Sequence, residues 1–297
     1  MQPRFKVHAA LAFVSLLFGA NYSIAKVVMP EFIGPHGLIA LRVPVVTLLF
    51  WLFHWLVGKP VVPATRDLGR FFVSAVFGVA INQIFFFKGI SLTSPIMGSV
   101  IMTSTPIIVL IISFFLLGER ITWLKSAGII LGASGAVLLI VSKGVDFSNN
   151  TFQGNLFVLI NALSYSIYLV IVKPLMVKYD AVTVIKWVFL FGCLMVVPFG
   201  INEIKAVNWQ QFDSNVWLSI TYIVVGSTFL AYLLNMWSLK YVNPSLVGYY
   251  IYLQPLFATI IAVLFRGDIL TLKHIVFAVM IFSGVFMVSY SKKKSTL

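Results

Sequence analysis

Long apolar runs separated by short polar turns fill the chain from end to end. A bilayer core of about 30 Å is crossed by about 20 apolar residues in a helix. Ten stretches reach that scale: Ala9–Val28, Gly37–Val57, Phe71–Ile90, Pro95–Leu117, Leu124–Val141, Phe152–Val172, Val182–Gly200, Val216–Leu239, Pro244–Phe265 and Leu272–Tyr290. Stretches with turn chemistry, such as GKPVVPATRD, SKGVDFSNN and YVNPS, divide them. No connection is long enough to hold a soluble domain. The longest polar interruption, NEIKAVNWQQFDSN, is expected to lie along the membrane interface with Trp209 as an anchor. The pattern predicts an all-α membrane protein with ten transmembrane helices.

Composition agrees, because 60% of the 297 residues are hydrophobic and 10% charged, with a mean hydropathy of +1.02. Soluble domains carry about 25% charged residues. The 21 Lys and Arg outnumber the 8 Asp and Glu, giving a net charge of +13. In a soluble protein that excess would suggest nucleic acid; in a membrane protein it reports topology. With the N-terminus in the cytoplasm, fourteen cations fall on the inner side and seven, including Lys26, Arg42 and Lys88, near the outer face. Both termini are therefore expected on the cytoplasmic side of the inner (plasma) membrane, with the tail SKKKSTL contacting anionic lipid. The first apolar run follows a basic start, as in a signal peptide, but it is as long as the later runs and lacks a clear cleavage pattern. A single cysteine, Cys193, supports neither a disulfide framework nor a thiolate metal site.

Two stretches, FFLLGERIT from Phe114 and VLFRGDILT from Val263, end an apolar run in the same way. Shifting the chain by 149 residues aligns Lys88–Ile140 with Trp237–Ser289 without a gap and matches eight positions. The matches include Pro95 with Pro244, Pro106 with Pro255, Gly118 with Gly267 and Thr122 with Thr271, while Glu119 meets Asp268. Upstream, at a shift of 143 or 144, NYSI from Asn21 meets SYSI from Ser164, and Arg42 meets Lys186. The chain thus divides into halves, 1–145 and 146–297, of five helices each. Five is odd, so the second half enters the membrane from the opposite side, and the repeat is inverted.

Ten spans in two five-helix halves, with TSPIMGSVIMTSTPIIVLIISFFLLGERIT echoed by YVNPSLVGYYIYLQPLFATIIAVLFRGDILT, resemble the EamA family of the drug/metabolite transporter superfamily. The second copy departs from the Gly-Glu pattern at Gly267-Asp268. The resemblance implies a carrier that moves small metabolites, often amino acids or related compounds and often outward.

The residues suggest where a solute would sit. Pro106 and Pro255 fall near the middle of the fourth and ninth spans, where each is expected to act as a hinge and to free the carbonyl of Met102 or Ile251. Polar groups precede both: Thr103 and Thr105 in one half, Tyr252 and Gln254 in the other, with Tyr249 on the same helical face as Tyr252. They are read either as solute ligands or as groups that repair a kink. Asn21, Asn82, Gln83, Asn161, Tyr165, Tyr232 and Asn235 also lie at membrane depth and should face the bundle interior, lining a cavity or joining helices. Lys88 is placed in the outer vestibule, and Arg42 with its counterpart Lys186 in a structural or gating role.

All eight acids fall in loops or at helix ends, which disfavours cationic cargo and leaves neutral, zwitterionic and anionic solutes open. The four histidines are dispersed, and neither a metal motif nor an ATP-binding loop is present. No cofactor is expected. A membrane-embedded enzyme would need a nucleophile with its base or a metal cluster, and a scaffold or channel would not need the repeat.

Overall fold

The computed structural model describes residues 3–57, 61–93, 95–141, 152–257, 260 and 272–291. The expected turn at Gly267-Asp268 and Thr271, the connection with Lys143 and Asp146, and the basic tail lie outside them. The described regular elements are helices: α1 (Pro3–Val28), α2 (Pro35–Val57), α3 (Thr65–Leu92), α4 (Pro95–Met102), α5 (Thr105–Leu117), α6 (Trp123–Val141), α7 (Phe152–Lys178), α8 (Ala181–Lys205), α9 (Ser214–Tyr241), α10 (Pro244–Tyr249) and α11 (Leu272–Ser291). Six of them, α1, α2, α3, α7, α8 and α9, are long and apolar enough to cross a bilayer. Thr105–Leu117 and Ile275–Val288 are shorter apolar helices. The outer surface carries large apolar side chains such as Trp55, Phe115, Trp123 and Phe286. The protein is a multi-pass membrane protein.

The fourth predicted span is interrupted. A proline disfavours helical geometry in the residue before it and lacks a donor N–H. The chain meets the second demand by ending α4 at Met102, turning through Thr103 and Ser104, and placing Pro106 in the first turn of α5, where the missing donor costs nothing, while Thr105 before it is already the first residue of that helix. Ser104 closes the turn, its N–H and its hydroxyl both donating to the Ile101 carbonyl at 3.0 and 2.7 Å. The expected kinked helix is thus two helices. In the second half α10 tightens into a 3₁₀ turn over Tyr250–Tyr252 before residues 253–257 return to α-helix, with Pro255 in their first turn.

Two π-helical stretches widen the bundle, Val76–Ile81 within α3 and Tyr222–Leu230 within α9. The 149-residue shift carries the first onto positions 225–230, inside the second, and carries Thr103 onto Tyr252. Carbonyls released by the wider turns find side-chain donors. Phe77 accepts from the Ser164 hydroxyl at 2.6 Å, and Ile223 from Ser227 and Thr228 at 3.0 and 2.6 Å. Gly78 lets the first stretch pass Tyr168, whose ring would lie 2.4 Å from an added Cβ.

The most extensive helix pairs are α2 with α8 and α6 with α11. In the second pair Gly128 and Gly284 face each other so closely that a Cβ on Gly284 would stand 2.7 Å from the Gly128 carbonyl oxygen. Polar contacts fix both ends of the bundle. At the end where α1 begins, Glu119 accepts from Lys125 at 2.5 Å and from Ser245 of α10 at 2.8 Å, and Asp67 accepts from Lys178 and Tyr179. Lys173 donates to the carbonyls of Leu239 and Val242 and so caps α9. Glu119, although at a helix end, is only 9% exposed, because Ser245 and Lys125 enclose it. At the opposite end Glu203 accepts from the Gly37 N–H at 2.7 Å and pairs with His36 at 2.8 Å, closing the start of α2. The connection after α8 folds as an aromatic cluster, with Trp209 stacked on Trp217 at 6.2 Å and Phe212 packed between them and Phe32.

Candidate functional site

A cavity of about 70 Å³ lies between α1, α2, α3, α4, α7, α9 and the irregular segment after α10. Its lining follows from the helical faces. On α1, Phe18, Asn21 and Tyr22 share one side, and on α3 the π-helical stretch aims Asn82, Gln83, Phe86 and Phe87 inward. Met102 and Ile251 come from the two interruptions, Asn161 and Tyr165 from α7, and Ser227 and Tyr232 from α9. Arg42 of α2 and Gln254 complete it.

The polar groups form an ordered network. Tyr232 sits at its centre, accepting from the Gln83 amide at 2.6 Å and sharing its one hydroxyl proton between the Asn82 side-chain oxygen at 3.1 Å and the Gly78 carbonyl at 3.3 Å. Tyr22 donates to the Gln254 side-chain oxygen at 3.2 Å, and Ser227 to that of Asn21 at 2.9 Å. The Asn161 amide donates to the Asn82 carbonyl at 2.8 Å, while its own oxygen is buried without a partner. Asn235 donates to the Tyr165 hydroxyl from behind the cavity wall. Each satisfied bond is worth about 1 kcal/mol, and each buried group left unpaired costs about 1–3 kcal/mol.

Seven of the sequence-derived candidates thus line one cavity: Asn21, Asn82, Gln83, Asn161, Tyr165, Tyr232 and Gln254. The other six do not. Tyr249 donates to the Gly128 carbonyl and packs edge-on against Tyr252 at 5.0 Å, so the aromatic wall expected there faces α6. Thr103 and Thr105 are buried in the turn between α4 and α5, Asn235 stands behind Tyr165, and Lys88 is half-buried on α3 beyond the lining. The missed lining is mostly apolar, as in Phe18, Phe86 and Phe87, and apolar residues give no signal in a chain rich in them. Arg42 was expected near the outer surface. Instead it is 3% exposed and its guanidinium lies over the Phe87 ring at 4.1 Å. Its counterpart Lys186 is also buried, over the Trp51 ring at 4.4 Å.

Pairs related by the repeat meet in this cavity: Tyr22 with Tyr165, Gln83 with Tyr232, and Met102 with Ile251. The sequence profile of the EamA-like transporter family matches residues 6–141 and again residues 152–290. The chain belongs to this family, within the drug/metabolite transporter superfamily. Among similar proteins, an uncharacterized transporter of Archaeoglobus fulgidus is 26% identical over 94% of this chain and 96% of its own. The uncharacterized transporter YetK of Bacillus subtilis is 24% identical over 97% and 88%, and the WALLS ARE THIN 1 protein of Arabidopsis thaliana 25% identical over 97% and 84%. A crystal structure with 18% identity superposes on 95% of this EamA-family chain and 98% of its own at a TM-score of 0.74, which establishes the shared fold.

Proposed function

We propose that this EamA-family protein is a carrier that moves a small organic solute, outward, by alternating access around the cavity on Tyr232. One observation carries the reading: Gln83 and Tyr232, which the 149-residue shift pairs when carried upstream of Lys88 as the π-helical stretches carry it, are hydrogen-bonded to each other inside the cavity. Two residues exchanged by a two-fold operation touch only where they lie on its axis. A cavity on the axis between two inverted five-helix halves is reached from either side when the halves exchange conformations. The matched π-helical stretches and matched interruptions before Pro106 and Pro255 support the same division at 145/146. The cation count supports cytoplasmic termini in the inner membrane.

In proteoliposomes the reading predicts saturable exchange: labelled amino or organic acid outside should enter faster when the same unlabelled compound is inside. Flux that neither saturates nor counterexchanges would identify a channel or a leak and sink the carrier. Orientation is checked separately. A cysteine in place of exposed Arg120 in a Cys193→Ser background should react with an impermeant reagent only from the cytoplasmic side, and one in place of Asp268 only from the opposite side.

A further inference from the structure

We infer that the solute site is an anion site, in which Arg42 binds the carboxylate of an organic acid and no described residue serves as its permanent counter-ion. The inference rests on the cavity being the solute site and adds the class of cargo. Arg42 lines the cavity at 3% exposure, yet forms neither an ion pair nor a hydrogen bond with any described residue, and its Nε is buried without a partner. The described ion pairs are all elsewhere: His36 with Glu203, Lys125 with Glu119, and Lys178 with Asp67. Its guanidinium rests on the Phe87 ring at 4.1 Å, which attracts a cation but satisfies none of its N–H donors. A buried guanidinium with five free donors is costly unless an anion completes it, and its planar fork matches a carboxylate.

The surrounding amides point the same way. As they are oriented, Asn82 and Gln254 each accept a hydrogen bond through their side-chain oxygen, from Tyr232 and Tyr22, which leaves their NH₂ groups to the cavity. Asn82 and Gln254 thus offer donors beside Arg42, the Asn161 oxygen is an unpaired acceptor, and among the described residues the wall holds no carboxylate. Against a cationic solute it would set a like charge; against a neutral amide it would leave Arg42 uncompensated. The counterpart cation separates this role from a merely structural one. Lys186 also rests on an aromatic ring but does not line the cavity, so of the two only Arg42 faces the solute.

The test compares acids with their own amides on purified protein. L-Lactate and benzoate should raise the thermal unfolding temperature of the unmodified protein in a saturable way, and L-lactamide and benzamide should not. Arg42→Gln should weaken the response to the anions about tenfold or more, and Arg42→Lys, which keeps charge but loses the fork, by less. Equal stabilisation by acid and amide, or no stabilisation by either anion, overturns the proposal without any variant having to fold. The carrier reading fails separately: anions that bind through Arg42 with no exchange across a bilayer would refute transport and keep the anion site. Saturable exchange of neutral solutes that survives Arg42→Gln would do the reverse.

Discussion

Tyrosine hydroxyls in this protein do two different jobs, and the burial of the rings does not tell them apart. Tyr232 and Tyr249 are both buried, but one hydroxyl organises the cavity and the other locks α10 to α6. Tyr249→Phe should therefore lower thermal stability by about 0.5–1.5 kcal/mol with solute affinity unchanged, whereas Gln254→Ala should weaken solute binding at nearly full stability. A binding isotherm and a melting curve on each variant separate the two; weaker binding in Tyr249→Phe would return that ring to the site. About half of the candidate polar residues were legible because an amide at membrane depth must find a partner in the interior. Which face of the interior it reaches depends on helix rotation, and the interruptions at Thr103–Ser104 and Tyr250–Tyr252 reset that rotation.

Among the helices, the π-helical stretch of α3 is the element on which the site depends most. Its wider turn presents Asn82 and Gln83 together and frees the Gly78 carbonyl for Tyr232. Gly78→Ala would drive a methyl into the Tyr168 ring, an overpacking that costs about 1–3 kcal/mol. The variant should melt earlier and bind solute more weakly, since relief by moving α3 displaces the Tyr232 contact. Normal binding in a less stable protein would mean that the strain is absorbed on the α7 side. Neither π-helical stretch is visible in the amino-acid pattern, because VFGVAI and YIVVGSTFL are apolar and small enough for an ordinary helix. The prolines were visible and misleading: each begins a helical stretch rather than bending one.

For the molecule as a whole, the membrane class and the family were legible from the apolar stretches and the repeated proline and Gly-acid motifs, because bilayer thickness and an ungapped repeat leave few alternatives. The place of Arg42 was not, since the sequence shows a cation near a helix end and only the packing of α2 against α3 and α8 takes it out of reach of water. Its isolation has an electrical consequence. In the alternating-access cycle we propose, an unpaired guanidinium would face first one aqueous compartment and then the other and so act as a gating charge, and one elementary charge crossing the whole field exchanges about 2.3 kcal/mol per 100 mV. The empty carrier should thus reorient at a voltage-dependent rate, while a carrier holding a monoanion beside Arg42 turns over without net charge in the site. Transient currents recorded from proteoliposomes adsorbed on a capacitive electrode should appear without solute, shrink on saturation with L-lactate, and be lost in Arg42→Gln; currents indifferent to both would mean that the membrane field never reaches the cavity.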